Sequence, residues 1–187
     1  GILDWYTVLV GVAAYAALAM HGALWVALKT RDPINARARR LARVAWAGTA
    51  IAAAAVTWGT LVLQPQVVAN LARYPWGAVF PALAVAGLGG AGWFTARRRE
   101  GRAFIASCAF LAGMLASAAL GVYPYVLPSI TEPERALTIW NASAGSYGLK
   151  VGLVWWLIGM TLVGVYFVYV YRQFAGKVSP EHGGEGY

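Results

Sequence analysis

The chain has 187 residues, of which 60% are apolar and only 12% are charged, and its formal net charge at pH 7 is +8. Soluble globular domains carry about 25% charged residues, so this composition is typical of an integral membrane protein. The positive charge does not indicate a nucleic-acid partner, because the cations fall in short clusters between apolar runs and do not alternate with base-stacking aromatic residues.

Five apolar segments of the chain are long enough, or nearly so, to cross a membrane. A helix needs about 20 mostly apolar residues to cross a hydrocarbon core of about 30 Å. The segments are residues 5–28, 42–63, 79–96, 104–127 and 151–171. They predict an all-α integral membrane protein in which residues 1–178 form a bundle of five transmembrane helices and residues 179–187 form a polar cytoplasmic tail. Residue 1 is not Met and the first segment begins almost at once, so we expect the chain to be part of, or processed from, a longer protein.

The cations are distributed unequally between the two sides of the predicted membrane. Only Arg73, Arg135 and Lys150 lie on one side, and the other twelve of the 15 Lys and Arg residues lie on the opposite side. Those twelve are Lys29, Arg31, Arg37, Arg39, Arg40, Arg43, Arg97, Arg98, Arg99, Arg102, Arg172 and Lys177. Because Lys and Arg accumulate on the cytoplasmic side, the pattern predicts an outward N-terminus, outward loops at 64–77 and 128–149, and a cytoplasmic C-terminus.

His21 lies well inside the first predicted span, whereas the predicted spans contain almost no Asp, Glu, Lys or Arg. A neutral imidazole at this depth can form a structural hydrogen bond, contact a quinone, serve a proton path, or bind haem iron. A second axial haem ligand is hard to find, because His182 lies in the polar tail and the three Met residues suit packing roles. We favour the structural hydrogen bond and keep a quinone or proton-path role as the functional alternative.

Two further features of the sequence do not indicate a functional site. Residues 87–92 match the dinucleotide-binding pattern GxGxxG, but they lie inside an apolar helix with no preceding strand, so the glycines predict close helix packing. Cys108 is the single cysteine, which excludes a disulfide within the chain and a cysteine metal cluster.

Several short segments of the chain form a specific pattern. Leu-Asp-Trp-Tyr-Thr stands at 3–7, His-Gly-Ala-Leu-Trp at 21–25, Tyr-Pro-Tyr-Val-Leu-Pro-Ser at 123–129, and Leu-Thr-Ile-Trp at 137–140. In this order, and with Gly-Lys-Val at 176–178 after the last span, the chain resembles the C-terminal half of subunit II of the bacterial cytochrome bd-type quinol oxidases. The resemblance covers nearly the whole chain, but the proton-route and oxygen-route residues of the family's first half have no counterpart here.

The resemblance implies a non-haem membrane subunit in the bacterial cytoplasmic membrane. It would enclose a haem-bearing subunit I, in a complex that oxidises quinol and reduces oxygen to water. Haems b and d would then belong to the partner, this chain would hold no cofactor, and its other contacts would be membrane lipid and a quinone at His21. Tyr123, Trp140, Trp155 and Trp156 are candidates for packing or partner contact. A membrane permease or helical scaffold unrelated to respiration is the alternative, since its helices would show the same charge bias.

Overall fold

The computed structural model describes residues 4–127, 129 and 135–178. In this part of the chain, five helices are long and apolar enough to span a membrane, which confirms the predicted all-α membrane fold. The helices are α1 (Trp5–Lys29), α2 (Ile34–Leu63), α3 (Pro65–Arg73), α4 (Val79–Ala96), α5 (Glu100–Val122) and α6 (Ser146–Gln173), and a 3₁₀ turn, Pro75–Ala78, precedes α4. The predicted tail at 179–187, with His182, lies outside the described residues.

The chain forms two compact units. The first comprises Gly1–Tyr123 with Lys177–Tyr187, and its described part holds α1 to α5. The second comprises Pro124–Gly176 and holds α6 together with strands β1 (Tyr125–Leu127) and β2 (Leu137–Thr138). The two strands pair antiparallel, a short hairpin that hydropathy did not predict. No residue of α6 is buried in the chain.

The helix bounds differ from the predicted spans where local chemistry overrides hydropathy. α2 begins at Ile34, eight residues before the predicted position 42, because Ala, Arg and Leu in the cationic segment all favour helix. α5 ends at Val122, five residues before the predicted position 127. The next residue, Tyr123, has an extended ψ of 137°, since a residue that precedes proline avoids the helical region. α5 and α6 also begin earlier than predicted, at Glu100 and Ser146.

The core of the first unit is built mainly from small side chains. Helices gain little from apolar burial in lipid, so they associate by close packing, which small residues allow. The buried cluster joins α1, α2, α4 and α5 and consists of Ala17, Met20, Ala23, Leu24, Ala42, Ala84, Ala91, Ala103 and Phe110. Six of these nine residues are alanine, which brings the helix backbones close together.

The backbones of α4 and α5 approach each other closely at glycines. A Cβ atom added to Gly113 of α5 would lie 2.6 Å from the backbone nitrogen of Ala84, and one added to Gly87 of α4 would overlap the backbone of Phe110. A Cβ on Gly92 would lie 2.7 Å from the Trp46 ring of α2. Gly87 and Gly92 of the GxGxxG pattern therefore serve helix packing, as the sequence predicts, whereas a Cβ on Gly89 would meet no atom within 4 Å.

Polar side chains cap two helix ends in the first unit. At the start of α1, the backbone N–H of Thr7 donates to Asp4 Oδ1 at 2.7 Å, and this hydrogen bond lowers the pKa of the Asp4 carboxyl below its usual value. At the end of α5, the two hydrogens of the Asn70 side-chain amide are shared among the carbonyl oxygens of Leu120 and Gly121, at 3.0 and 3.1 Å, and that of Tyr123. α3 therefore closes a helix end whose carbonyl groups would otherwise lack partners.

Two glycines of one helix give a matched test of this packing. We expect Gly87→Ala to destabilise the protein by about 1–3 kcal/mol, because the new methyl group would meet the backbone of α5. Gly89→Ala should leave stability unchanged or raise it by up to about 1 kcal/mol, since no atom lies within 4 Å of its added Cβ and Ala favours helix more than Gly does. Thermal unfolding of the purified protein in detergent measures both, and equal losses would contradict the packing account.

Candidate functional site

His21 contacts α5 through a hydrogen bond that determines its tautomer. Its Nδ1 lies 2.8 Å from the Oγ of Ser107, a residue with no exposed surface. The Ser107 hydroxyl also lies 2.7 Å from the carbonyl oxygen of Phe104, and when it donates its one proton there, its oxygen accepts from His21 Nδ1–H. In this arrangement the proton lies on Nδ1 and a lone pair remains on Nε2.

One aromatic ring stacks on the His21 imidazole, and a second aromatic ring packs beside the first. The Phe104 ring stacks on His21 with a centroid separation of 4.7 Å and an interplanar angle of 28°. The Trp25 ring lies 5.1 Å from that of Phe104 and comes one helical turn after His21 on α1. Within the described part of the chain, His21 Nε2 has no hydrogen-bond partner, so it can accept a hydrogen bond or a proton from a group that arrives beside the rings.

Ser107 and Phe104 were not predicted as site residues. Residues 103, 107 and 110 recur at helical spacing on one buried face of α5, and Ser107 is the polar member of that face. A hydroxyl at an apolar helical position indicates a buried hydrogen bond, and His21 is the nearest polar side chain to supply it.

A second polar cluster joins the ends of three helices. The Asn35 side-chain amide donates to the carbonyl oxygen of Ala27 at 2.7 Å and to Glu100 Oε1 at 2.6 Å. Glu100 also forms an ion pair with Lys177. The next residue, Val178, donates its N–H to the carbonyl oxygen of Lys29 at 2.8 Å.

This cluster links α1, α2, α5 and residues 177–178. In the sequence, the residue that could have indicated this cluster is Glu100, because it is the one acid in the Arg-rich connection between the third and fourth predicted spans. Of the described residues, no group of three or more His, Cys, Asp and Glu could hold a metal ion.

The other predicted site residues lie elsewhere. Tyr123 follows α5, about 24 Å along the helix from Ser107, and its ring meets that of Tyr74 edge-on at 5.8 Å. Trp155 and Trp156 lie on α6 of the second unit, 69% and 58% exposed, and Trp140 follows the hairpin of that unit, 66% exposed. His21 and Tyr123 therefore do not form one site, and the three tryptophans present large apolar surfaces.

Five helices in the described part of the chain are long and apolar enough to cross a membrane, and polar side chains form hydrogen bonds between helices. These features define a multi-pass helical membrane protein. The family model of cytochrome bd terminal oxidase subunit II matches residues 1–174, and the chain belongs to this family. It is thus a multi-pass protein of the bacterial inner membrane.

A curated relative supports the same family. The chain is 26% identical over 202 residues to a protein of Haemophilus influenzae described as "Probable cytochrome oxidase subunit 2". The alignment covers 95% of this chain and 53% of the relative, so the chain spans about half the length of the curated relative it matches.

The assigned tautomer can be measured directly. We expect nitrogen-15 NMR of the histidine-labelled protein to show His21 protonated at Nδ1 and unprotonated at Nε2. Ser107→Ala removes the acceptor and should give a mixture of tautomers. Ser117→Ala is the matched control, because Ser117 donates to Gly113 on the same helix, as Ser107 does to Phe104, and should leave the spectrum of His21 unchanged. A protonated Nε2 in the unmodified protein would refute the assignment.

Proposed function

We propose that the chain is a non-haem membrane subunit of a bd-type respiratory quinol oxidase. In this proposal the complex oxidises quinol and reduces oxygen to water, and haems b and d lie on a haem-bearing subunit I that this chain encloses. The family match over residues 1–174 carries the proposal. It favours this function over the permease or scaffold, because neither alternative would account for similarity to a terminal oxidase subunit.

We also propose that His21 contacts a quinone or lies on a proton path. The free lone pair of Nε2 could accept a hydrogen bond from a quinol hydroxyl, and the flat rings of Phe104 and Trp25 offer an apolar surface beside it. A metal-binding imidazole would also donate its other N–H to a neighbouring acceptor, as Nδ1 does to Ser107. Haem content is therefore the property that separates the two roles.

Large aromatic side chains in each compact unit support proposed contacts. Trp155 and Trp156 of α6 and Trp140 in the same unit are large exposed side chains, and Tyr123 lies at the end of α5. We propose that they pack against lipid or the partner subunit. Residues 1–178 would form the membrane domain, with 179–187 as a cytoplasmic tail.

Substitution of His21 tests the function and the role of this residue together. We expect the tagged chain to co-purify with a haem-carrying partner, and His21→Leu to leave the haem content of that complex unchanged. Quinol oxidation should fall on the order of tenfold if Nε2 accepts a proton or a hydrogen bond from quinol. Ser117→Ala is the control, since its hydroxyl donates within α5. Loss of a haem band in a complex that still assembles would overturn the non-haem assignment.

The proposed orientation, with the N-terminus outside and the C-terminus cytoplasmic, follows from the cation bias. Alkaline phosphatase fused after the last residue should be inactive, because this enzyme folds only outside the cytoplasm, whereas a green fluorescent protein at the same position should fluoresce. An active phosphatase fusion would reverse the orientation.

A further inference from the structure

One exposed face of α2 combines two arginines with an apolar strip. Arg40, Arg43, Val44 and Ala47 line a shallow, open groove on the surface of this helix. Their spacing places them on a single helix face, opposite the face that buries Ala42. Val44 is 66% exposed, so the groove faces away from the core of the first unit.

The length of α2 places this groove at the edge of the hydrocarbon. The helix has 30 residues and is about 45 Å long, which exceeds a hydrocarbon core of about 30 Å. The apolar residues 44–63 are enough to cross that core. Arg40 and Arg43 therefore lie at the level of the lipid headgroups, and Val44 and Ala47 lie at the start of the acyl region.

The two arginines of the groove carry uncompensated charge. In the described part of the chain, neither Arg40 nor Arg43 has a hydrogen bond or an ion pair, and no acid lines the groove. Some other cations of this side do have partners: Lys177 pairs with Glu100, and the Arg97 guanidinium lies 4.0 Å from the centroid of the Trp93 ring. A site with two free guanidinium groups above an apolar strip is complementary to an anion that carries an acyl chain.

We propose that this groove binds an anionic phospholipid, with its phosphodiester between Arg40 and Arg43 and an acyl chain along Val44 and Ala47. Guanidinium groups bind phosphate oxygens through paired hydrogen bonds, which a zwitterionic headgroup would offset with its own ammonium. The site is independent of the proposed oxidase function, since it depends only on α2 and its depth in the membrane.

Photolabelling of the purified complex locates the lipid without any substitution. A phosphatidylglycerol with a photoactivatable group near the start of its acyl chain should label the peptide that contains Val44 and Ala47. Phosphatidylethanolamine with the same group should label it much less. Equal labelling by the two lipids, or labelling only elsewhere, would overturn the proposal.

Two double variants then distinguish a specific lipid site from a general attraction of anionic lipid to the positive charge on this side of the membrane. Arg40→Gln with Arg43→Gln should reduce labelling of this peptide by phosphatidylglycerol on the order of tenfold. Arg97→Gln with Arg99→Gln removes the same charge from the same side, outside the groove, and should leave labelling within about twofold. Equal losses in both variants would show a surface potential and no site.

Two other occupants give different results. Soluble glycerol phosphate should not compete with the labelled lipid, and efficient competition would show a phosphate site without a lipid requirement. If the groove instead held an acidic surface of a partner protein, Arg40→Gln with Arg43→Gln would release that partner while the unmodified complex showed no preference for phosphatidylglycerol. Either result would overturn the proposal.

Discussion

The close approach of α4 and α5 is the constraint on which the first unit depends. Apolar burial does little to hold helices together in lipid, so these two helices must meet through backbone contact at Gly87 and Gly113. This contact positions the whole of α5. Ser107 can then reach His21 on α1, and Glu100, at the first turn of the same helix, can reach Asn35 on α2.

Hydrogen bonding adds a second constraint, because a polar group without a partner is costly where water is absent. Every buried side-chain nitrogen and oxygen in the described part of the chain has a hydrogen-bond partner. The Trp46 indole N–H illustrates this, since it donates to the carbonyl oxygen of Leu88 at 2.8 Å and so links α2 to α4. His21 Nε2, which has no hydrogen-bond partner among the described residues, is therefore an accessible atom of a half-buried side chain, and the proposed function assigns it a ligand or a proton.

Hydropathy and charge predicted the membrane class and the number of spans because the thickness of a bilayer sets both. They did not predict the start of α2 at Ile34, where helix propensity continues into the cationic segment. They also placed the end of the fourth span too late. The Pro124 ring restricts the backbone of Tyr123 and so ends the helix, and this local effect does not change the mean hydropathy.

The site was only half predictable from the sequence. His21 was visible as a polar residue at depth, whereas Ser107 is 86 positions away and looks like an ordinary small residue. Glu100 and Lys177 are 77 positions apart, and they form an ion pair because residue 177 lies beside the start of α5. Long-range pairs of this kind follow from helix packing, and no local pattern of residues encodes them.

We propose that this subunit contributes membrane structure and a polar site at His21, and that the haem ligands lie on the partner subunit. A cryo-electron microscopy map of the purified complex with side-chain detail tests it most directly. We expect every haem iron to be bound by residues of the partner subunit, and His21 Nδ1 to lie within hydrogen-bond distance of Ser107 Oγ. Density for an iron bound to Nε2 of His21 would contradict it.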